Sequence, residues 1–456
     1  MAVSPSKPET LAVNGGPKSV PALEGIGQPK IGVEEFMELA DTWGFNDETK
    51  AKIQAAIRNE VKTSPMLARY YNPRPSKVKA LEELAAKIFG VPHVLAVNSG
   101  TSALNTAYVA AGIGPGCEVI VPAYTFFATV AEVVTAKAIP VIAEVDESLT
   151  LDPADVERKI TKRTKAIVPV HIIGTCADMG PIMKIAKKHK LMVIEDTAQA
   201  CGASYKGKYL GTIGDLGCFS ISSYKITGGG EAGLVMTKDE FLFTRAQNNH
   251  DTGACWRPDR YAIERRPGEL FCGYNYKLSE LEGSVNLAQM RKMQDQVKRW
   301  QTAKRRVASQ LLRFKGVTPQ AVRDPGEVGN HLVFFTPEAK TSAAVANALR
   351  AEGVGAGARG EKMARDWHVY AFWQHLMDLK SATPDGCPWT CEKNRASKPH
   401  YTPDMCPRTL DLLGRAVFVP IGQWWTENDC GRVAAGINKV LGAYFGQASK
   451  KAGWYK

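Results

Sequence analysis

A hydroxyl-rich loop follows the first long apolar run of the chain. Ser99-Gly100-Thr101-Ser102 comes after VPHVLAV (91–97) and before a helical pattern. Backbone N–H groups at such a helix start, with hydroxyls beside them, form an anion site, whereas the same residue types also serve as a plain helix cap. No Gly-Lys-Ser/Thr follows, so the loop is not a Walker phosphate loop. Both interpretations, phosphate site and cap, stay open at this point.

Two acidic residues, Glu195 and Asp196, end the apolar run LMVIED (191–196). A carboxylate at the end of a buried strand needs a partner, because an unpaired buried charge is costly. A protonated ring nitrogen or a metal ion would satisfy it, and so would a helix cap or a structural ion pair.

Lys225 lies between the apolar run CFSIS (218–222) and a glycine-rich turn (228–230). Partial desolvation lowers the pKa of a lysine and leaves some free amine to attack a carbonyl. An exposed turn lysine is the alternative. One shared site is favoured by the order in which these features follow one another in the chain: the hydroxyl loop, an aromatic strand end, the carboxylate, a serine and the lysine.

Strands and helices alternate from about residue 77 to 237, which predicts a mostly parallel sheet covered on both faces. Ligands of such sheets bind beyond the carboxyl ends of the strands, where these candidate residues fall. A basic helix over about 278–315 follows. The remainder is mixed, with a strand at 331–335, a helix near 427–445 and an irregular segment at about 360–406.

Composition narrows the classes of protein. The 456 residues are 44% hydrophobic and 23% charged, close to the globular average. No apolar run is long enough to span a membrane, and the first thirty residues lack the apolar core of a secretory signal, so we expect a soluble cytoplasmic protein. The net charge of +12 is spread along the chain without a nucleic-acid-binding motif. It predicts either an electropositive cleft for an anion or a solvated basic surface.

Ten cysteines without a signal peptide indicate reduced thiols. Cys387, Cys391, His400 and Cys406 supply ligand types that zinc accepts, but their spacing matches no known finger and the segment is rich in proline. We predict an ordinary loop there and no metal site.

The sequence resembles the DegT/StrS family of sugar aminotransferases, which are fold-type I pyridoxal-phosphate enzymes. The matching stretches are SGTSAL (99–104), GIGPGCEVIVPAYTF (112–126), EDTAQACG (195–202), GTIGDLGCFSISSYK (211–225) and GYNYKLSELEGSVNLAQM (273–290). The resemblance implies an α/β fold with a mostly parallel seven-stranded sheet and a smaller C-terminal α+β domain. We expect an extended arm at 1–30, a large cofactor domain at 31–290 and a smaller domain at 291–456.

The resemblance also implies roles for individual residues. Lys225 would form the internal aldimine with pyridoxal 5'-phosphate and then move the proton. Asp196 would pair with the protonated ring nitrogen, Gln199 would lie near the ring hydroxyl, and Phe126 would stack on the ring.

The remaining implied roles concern the cofactor phosphate. Gly100, Thr101 and Ser220 would hold it, with Ser102 nearby, and Asn275 would complete the site from the neighbouring subunit. The protein would therefore be a homodimer with shared active sites.

By the same resemblance, the substrate would be a keto-sugar, free or nucleotide-linked, or a ketocyclitol, with glutamate or glutamine as amino donor. Two departures, Ser222-Ser223-Tyr224 before the lysine and Gly230-Glu231-Ala232-Gly233 after it, remove no reacting group. Lys225 argues against the dehydratase branch, which has histidine there. An elimination or decarboxylation, or a non-catalytic regulatory role, are the alternatives.

Two further groups are candidates for substrate contact. Trp367, His368, Trp373 and His375 either line a sugar pocket or pack the smaller domain. The segment 69–71 (Arg-Tyr-Tyr) lies where family members place substrate-facing residues.

Overall fold

The computed structural model describes residues 10–20, 22, 29–71, 74–449 and 451–454. The chain divides into two compact units, Met1–Leu67 and Ala68–Lys456. In the first unit, helices α1 (Val33–Asp41) and α2 (Asp47–Ile57) follow a short 3-10 turn. The side chain of Asn46 caps α2 by accepting from the Thr49 N–H at 2.8 Å. The predicted arm at 1–30 lies partly outside the described residues, and the boundaries at 30 and 290 stay predictions.

The second unit is built around a large sheet. Its strands and the short hairpin inserted among them are β1 (His93–Val97), β2 (Glu118–Pro122), β3 (Ile139–Ala143), β4 (Thr164–Ile167), β5 (Met192–Asp196), β6 (Ser204–Tyr205), β7 (Lys208–Tyr209), β8 (Leu216–Ser220) and β9 (Gly233–Thr237). The helices that alternate with them are α3 (Lys77–Phe89), α4 (Gly100–Ala110), α5 (Ala128–Thr135), α6 (Pro153–Lys159), α7 (Met179–His189) and α8 (Glu240–His250).

The strand order of the large sheet is β1-β9-β8-β5-β4-β2-β3. Only β9 runs antiparallel to its neighbours among these seven described strands. Alternate residues of β1 pack into different cores: Leu95 and Val97 into one, Val94 and Ala96 into the other. Since side chains alternate along a strand, both faces of the sheet are covered, which confirms the predicted α/β fold.

The C-terminal third contains a second sheet of four antiparallel strands in the order β11-β12-β14-β13. The strands are β10 (Arg313–Phe314), β11 (Thr318–Pro319), β12 (His331–Phe335), β13 (Gly357–Ala358), β14 (Ala416–Pro420) and β15 (Gln447–Ser449), of which β10 and β15 pair separately. The helices are α9 (Glu280–Met290), α10 (Met293–Ala308), α11 (Ala339–Ala351), α12 (Gln374–Met377), α13 (Pro407–Arg415) and α14 (Glu427–Phe445). The expected α+β region is confirmed.

The prediction of one continuous helix over 278–315 is wrong. The N–H of Arg291 returns to Leu287 and Gln289, and that of Lys292 to Gln289, which closes α9 before α10 begins. Leu287 of α9 packs under the large sheet together with Met293 and Val297 from the first half of α10, whereas Val307 near the end of α10 packs under the four-stranded sheet. α10 therefore contributes to both cores.

The segment at 360–406 is irregular, as predicted, apart from α12 and two short 3-10 turns. Tyr370 and Trp373 are inaccessible to solvent and belong to the core of the large sheet, whereas Trp367 is 47% exposed. Trp373 therefore packs the fold and does not line a pocket. Within the part of the chain that the structure describes, no helix has the length and apolar character needed to span a bilayer.

Candidate active site

One cleft beyond the carboxyl ends of β5 and β8 gathers most of the predicted site residues. Its lining includes Gly100, Thr101, Phe126, Asp196, Gln199, Ser220 and Lys225. Ser102 and Asn275 are the two predicted residues that do not line it. The convergence follows from the parallel sheet, which brings strand ends distant in sequence to one edge.

Ser99 and Gly100 form the start of α4 at the floor of the cleft. The Ser99 hydroxyl caps the helix by accepting from the Ser102 N–H at 3.0 Å. A side chain at position 100 would place its Cβ 2.6 Å from the Ser220 Cβ, so only glycine lets the helix start approach β8. Ser102 lies behind the loop, where its hydroxyl donates to Asn98 Oδ1 at 2.6 Å. The loop is thus a helix cap, and its residues Gly100 and Thr101 line the cleft.

Asp196 and Glu195 are separated by the alternation of β5. Asp196, only 4% exposed, faces the cleft, and its Oδ2 accepts from the Thr129 hydroxyl at 2.7 Å. Burial raises the pKa of Asp196, with the Thr129 and Ala198 hydrogen bonds and the charge of Lys225 opposing the rise. Because burial disfavours its charge, the Asp196 carboxylate is suited to a cationic partner in the cleft.

Glu195 points to the other side of the sheet and is wholly buried. Its carboxylate accepts from the N–H groups of Gly211, Ile213 and Gly214 at 2.7–2.9 Å, and lies 3.1 Å from His171 Nε2. The structural interpretation therefore holds for Glu195.

Lys225 lies in the turn after β8, half-buried at the cleft wall. Its backbone N–H donates to the Ser222 carbonyl at 3.0 Å, which fixes the turn. The ammonium group lies 5.0 Å from the ring centroid of Tyr224, a cation–π contact to an exposed ring. Lys225 lines the same cleft as Asp196 and the start of α4.

Phe126 and Gln199 form the opposite wall together with a residue from the irregular segment. The Phe126 ring lies 5.4 Å from that of His368, and Gln199 Nε2 lies 3.1 Å from His368 Nε2. Of the substrate-pocket candidates in this segment, His368 is the one that approaches the cleft.

The sequence reasoning missed Thr125 and Thr129, which also line the cleft. Their hydroxyls lie 2.7 Å apart and lead to Asp196. The signal for them was that both threonines lie between the end of β2 and the first turn of α5, at the edge of the sheet where ligands bind.

Residues 69–71 and Asn275 lie away from the cleft of their own chain. The buried Arg69 bonds Glu82 at 2.6 Å, and the ring of Tyr70 stacks on Trp256 at 4.2 Å. Asn275 is exposed and forms a backbone bridge with Asp251.

The described residues contain no group of three or more histidine, cysteine or acidic side chains arranged to hold a metal ion. All ten cysteines are free thiols. Burial raises the pKa of the Cys406 thiol to about 12, which disfavours the thiolate that zinc binds.

The cleft fits pyridoxal phosphate on the evidence of its own groups. The helix start at Gly100, opened by the missing side chain, suits a phosphate. The buried Asp196 suits a protonated ring nitrogen, and the Lys225 amine suits the cofactor carbonyl.

Comparison with known proteins agrees with this geometry. Residues 52–381 match the model of the DegT/DnrJ/EryC1/StrS aminotransferase family. The chain is 40% identical over 220 residues to GDP-perosamine synthase of Caulobacter vibrioides, covering 47% of this chain and 56% of that protein. It is 36% identical over 261 residues to L-glutamine:2-deoxy-scyllo-inosose aminotransferase of Micromonospora echinospora, covering 56% of this chain and 61% of that protein. The chain thus spans less than two thirds of these two relatives.

A longer match is a UDP-N-acetyl-3-dehydro-alpha-D-glucosamine 3-aminotransferase of Acidithiobacillus ferrooxidans, 38% identical over 60% of this chain and 72% of that protein. Among solved structures, 3-amino-5-hydroxybenzoic acid synthase superposes with a TM-score of 0.64 at 27% identity, over 80% of this chain and 91% of that one. NtdA of Bacillus subtilis, with bound cofactor PMP, shares the fold with a TM-score of 0.64 at 21% identity, over 92% of this chain and 86% of that one.

Proposed function

The chain belongs to the DegT/DnrJ/EryC1/StrS aminotransferase family, and we propose that it moves an amino group from glutamate or glutamine to a keto-sugar or ketocyclitol. The observation that carries the proposal is the single cleft in which Lys225 and the buried Asp196 face the open helix start at Gly100. The names of the relatives, which include sugar and cyclitol aminotransferases, support this substrate class.

The cofactor is pyridoxal phosphate, which supplies an electron sink for the carbon that carries the transferred amino group. The N–H groups of Gly100 and Thr101 and the Ser220 hydroxyl bind its phosphate. Asp196 accepts from the ring nitrogen and keeps it protonated, because its burial makes an unpaired charge there costly.

Lys225 is the reacting amine in this proposal. Lys225 would hold the cofactor through its amine, and when free of the cofactor that amine would take the proton from the substrate carbon and later return it. The bond to Ser222 fixes the turn after β8 that carries Lys225 at the cleft. Phe126, which also lines the cleft, would pack against the cofactor ring.

We further propose a homodimer in which Asn275 of each chain completes the phosphate site of the other. The exposure of Asn275 and its distance from its own cleft support this arrangement.

The half-reaction with the amino donor tests the proposal. Addition of L-glutamate or L-glutamine to the purified holoenzyme is expected to abolish the visible absorbance of the lysine-bound cofactor. Borohydride treatment beforehand is expected to fix the cofactor on the peptide that contains Lys225, as read by mass spectrometry, and the Lys225→Ala variant is expected to show neither effect.

A second step identifies the acceptor class. Keto-sugars and inososes are added to the aminated form, and return of the visible band marks an acceptor. Failure of both amino donors to change the spectrum, despite cofactor fixed on Lys225, would contradict an aminotransferase and favour elimination or decarboxylation.

A further inference from the structure

A chain of hydrogen bonds leads from the irregular segment into the cleft. Asp366 Oδ1 lies 2.8 Å from His368 Nδ1, and His368 Nε2 lies 3.1 Å from Gln199 Nε2. Gln199 Oε1 in turn accepts from the Ile173 N–H at 2.9 Å. The three side chains thus connect the smaller part of the second unit to the wall of the active site.

The directions of the two hydrogen bonds of His368 follow from its partners, Asp366 and Gln199. Burial would raise the pKa of this carboxyl, but the hydrogen bonds from His368 and the charge of Arg359 outweigh it and hold the pKa well below its usual range. An ionised carboxylate only accepts, so His368 Nδ1 carries the hydrogen. The Ile173 N–H occupies Gln199 Oε1, so the amide nitrogen of Gln199 faces His368 and donates to its Nε2 atom.

The amide of Gln199 is consequently held at both ends. Its oxygen is occupied by the Ile173 N–H and one of its two amide hydrogens by His368. The second amide hydrogen is left for a group in the cleft, which Gln199 lines.

The segment that carries His368 is attached firmly to the end of β2. The Thr125 N–H donates to the His368 carbonyl at 2.9 Å, and the Tyr370 N–H donates to the Ala123 carbonyl at 3.0 Å. Arg359, which is ion-paired with Asp366, is packed between the rings of Tyr124 and Phe418 at 4.8–4.9 Å. These contacts hold the His368 imidazole in place beside Gln199.

From these contacts we propose that His368 is a positioning residue, which aims the free amide hydrogen of Gln199 at the ring hydroxyl of the bound cofactor. The inference rests on the proposed function, since it concerns the same cleft. Removal of His368 would leave Gln199 free to rotate away and would cost the ring oxygen a hydrogen-bond donor.

The pH titration of the visible cofactor band tests the role of His368. The titration reports the pKa of the nitrogen that joins Lys225 to the cofactor, next to the ring oxygen. A hydrogen-bond donor such as Gln199 stabilises the negative ring oxygen most when this nitrogen has lost its proton. The donor therefore lowers the pKa of the nitrogen. His368→Ala is expected to raise this pKa by about one unit, the effect of one lost charge-assisted hydrogen bond. His368→Gln, which keeps an acceptor near the Nε2 position, is expected to restore most of the shift.

Two further variants separate positioning from folding. His375→Ala is the matched control, because His375 lies in the same segment and packs on Phe127 at 4.5 Å without contacting Gln199; its titration is expected to match the unaltered protein. If His368→Ala does not fold, His368→Phe provides the ring without the acceptor and is expected to give the same rise.

The outcomes distinguish the inference from the proposed function. If borohydride fixes no cofactor on Lys225 of the unaltered protein, the proposed function fails and this inference with it. If the cofactor is fixed there but the His368 variants titrate like the unaltered protein, the inference alone is overturned. An increase in KM for the acceptor without a spectral shift would place His368 in substrate binding instead.

Discussion

Glu195 and Asp196 are neighbours in the chain, yet they serve different parts of the molecule. Three backbone N–H groups and His171 satisfy the Glu195 carboxylate inside the fold. The Asp196 carboxylate is also buried but faces the cleft, where it accepts hydrogen bonds from the Thr129 hydroxyl and the Ala198 N–H. At the scale of the residue, the functional carboxylate is Asp196, which accepts fewer hydrogen bonds inside the protein and so remains available to a ligand in the cleft.

Asp196→Asn tests this difference at the level of stability. Because the folded pKa of Asp196 is raised above its unfolded value, its contribution to stability is present at acid pH and is lost as the pH rises through the folded pKa. At neutral pH the cofactor-free Asp196→Asn variant is expected to have a higher melting temperature than the unaltered cofactor-free protein. The difference between the two melting temperatures is expected to decrease toward acid pH. Melting curves across pH measure it, and a lower melting temperature at neutral pH would contradict it.

The same substitution is expected to act against activity. A neutral amide cannot hold the ring nitrogen protonated, so the rate of amino transfer is expected to fall by on the order of 10²-fold or more. Stopped-flow absorbance with the amino donor measures the rate of this half-reaction. A variant that keeps the rate would show that Asp196 does not support the ring.

At the scale of the element, the start of α4 depends on the close approach of Gly100 to β8. Gly100→Ala places a methyl group against Ser220 and is expected to weaken cofactor binding about tenfold, because overpacking of this kind costs about 1–3 kcal/mol. Gly114→Ala is the matched control, since its nearest contact would be 3.9 Å away. Titration of the cofactor-free protein gives both affinities, and equal values would refute the close approach.

The irregular segment at 360–406 is an element fixed by its buried aromatic residues. Trp373 is inaccessible to solvent, and its indole N–H donates to the Trp367 carbonyl at 2.9 Å. Trp373→Ala is expected to lower the free energy of unfolding by about 3–5 kcal/mol, whereas Trp367→Ala, at an exposed position, is expected to cost less than about 1 kcal/mol. Denaturant unfolding measures both, and similar losses would contradict the assignment of Trp373 to the core.

At the scale of the whole molecule, the shared site predicts that two inactive variants complement each other. Lys225→Ala and Asn275→Ala subunits are unfolded together and reassembled. Each hybrid dimer would then hold one site with both native residues, because Lys225 comes from one chain and Asn275 from the other. Random pairing makes half of the dimers hybrid, so about a quarter of the activity is expected to return.

Activity assays of the mixture against each variant alone provide the measurement. No gain on mixing, with hybrid dimers demonstrated by mass, would show that Asn275 serves its own chain or no site.

Much of the large sheet and of the candidate site could be predicted from local sequence patterns. Strand–helix alternation predicted the parallel sheet, and the run EVIVP predicted β2 at its observed bounds. The hydroxyl loop, Asp196 and Lys225 were recognisable because strand ends in parallel sheets converge on one edge. Local residue types and a period of two or 3.6 suffice for such features.

The rest depended on contacts between distant segments. Only tertiary packing decided where the predicted long helix breaks and that Trp373 belongs to the core. It also decided that His368 reaches Gln199 across 169 positions. A sequence fixes local preference and the chemistry available to each residue, whereas the orientation of a side chain toward a core or a cleft is set by the free energy of burying it among partners that are remote in the chain.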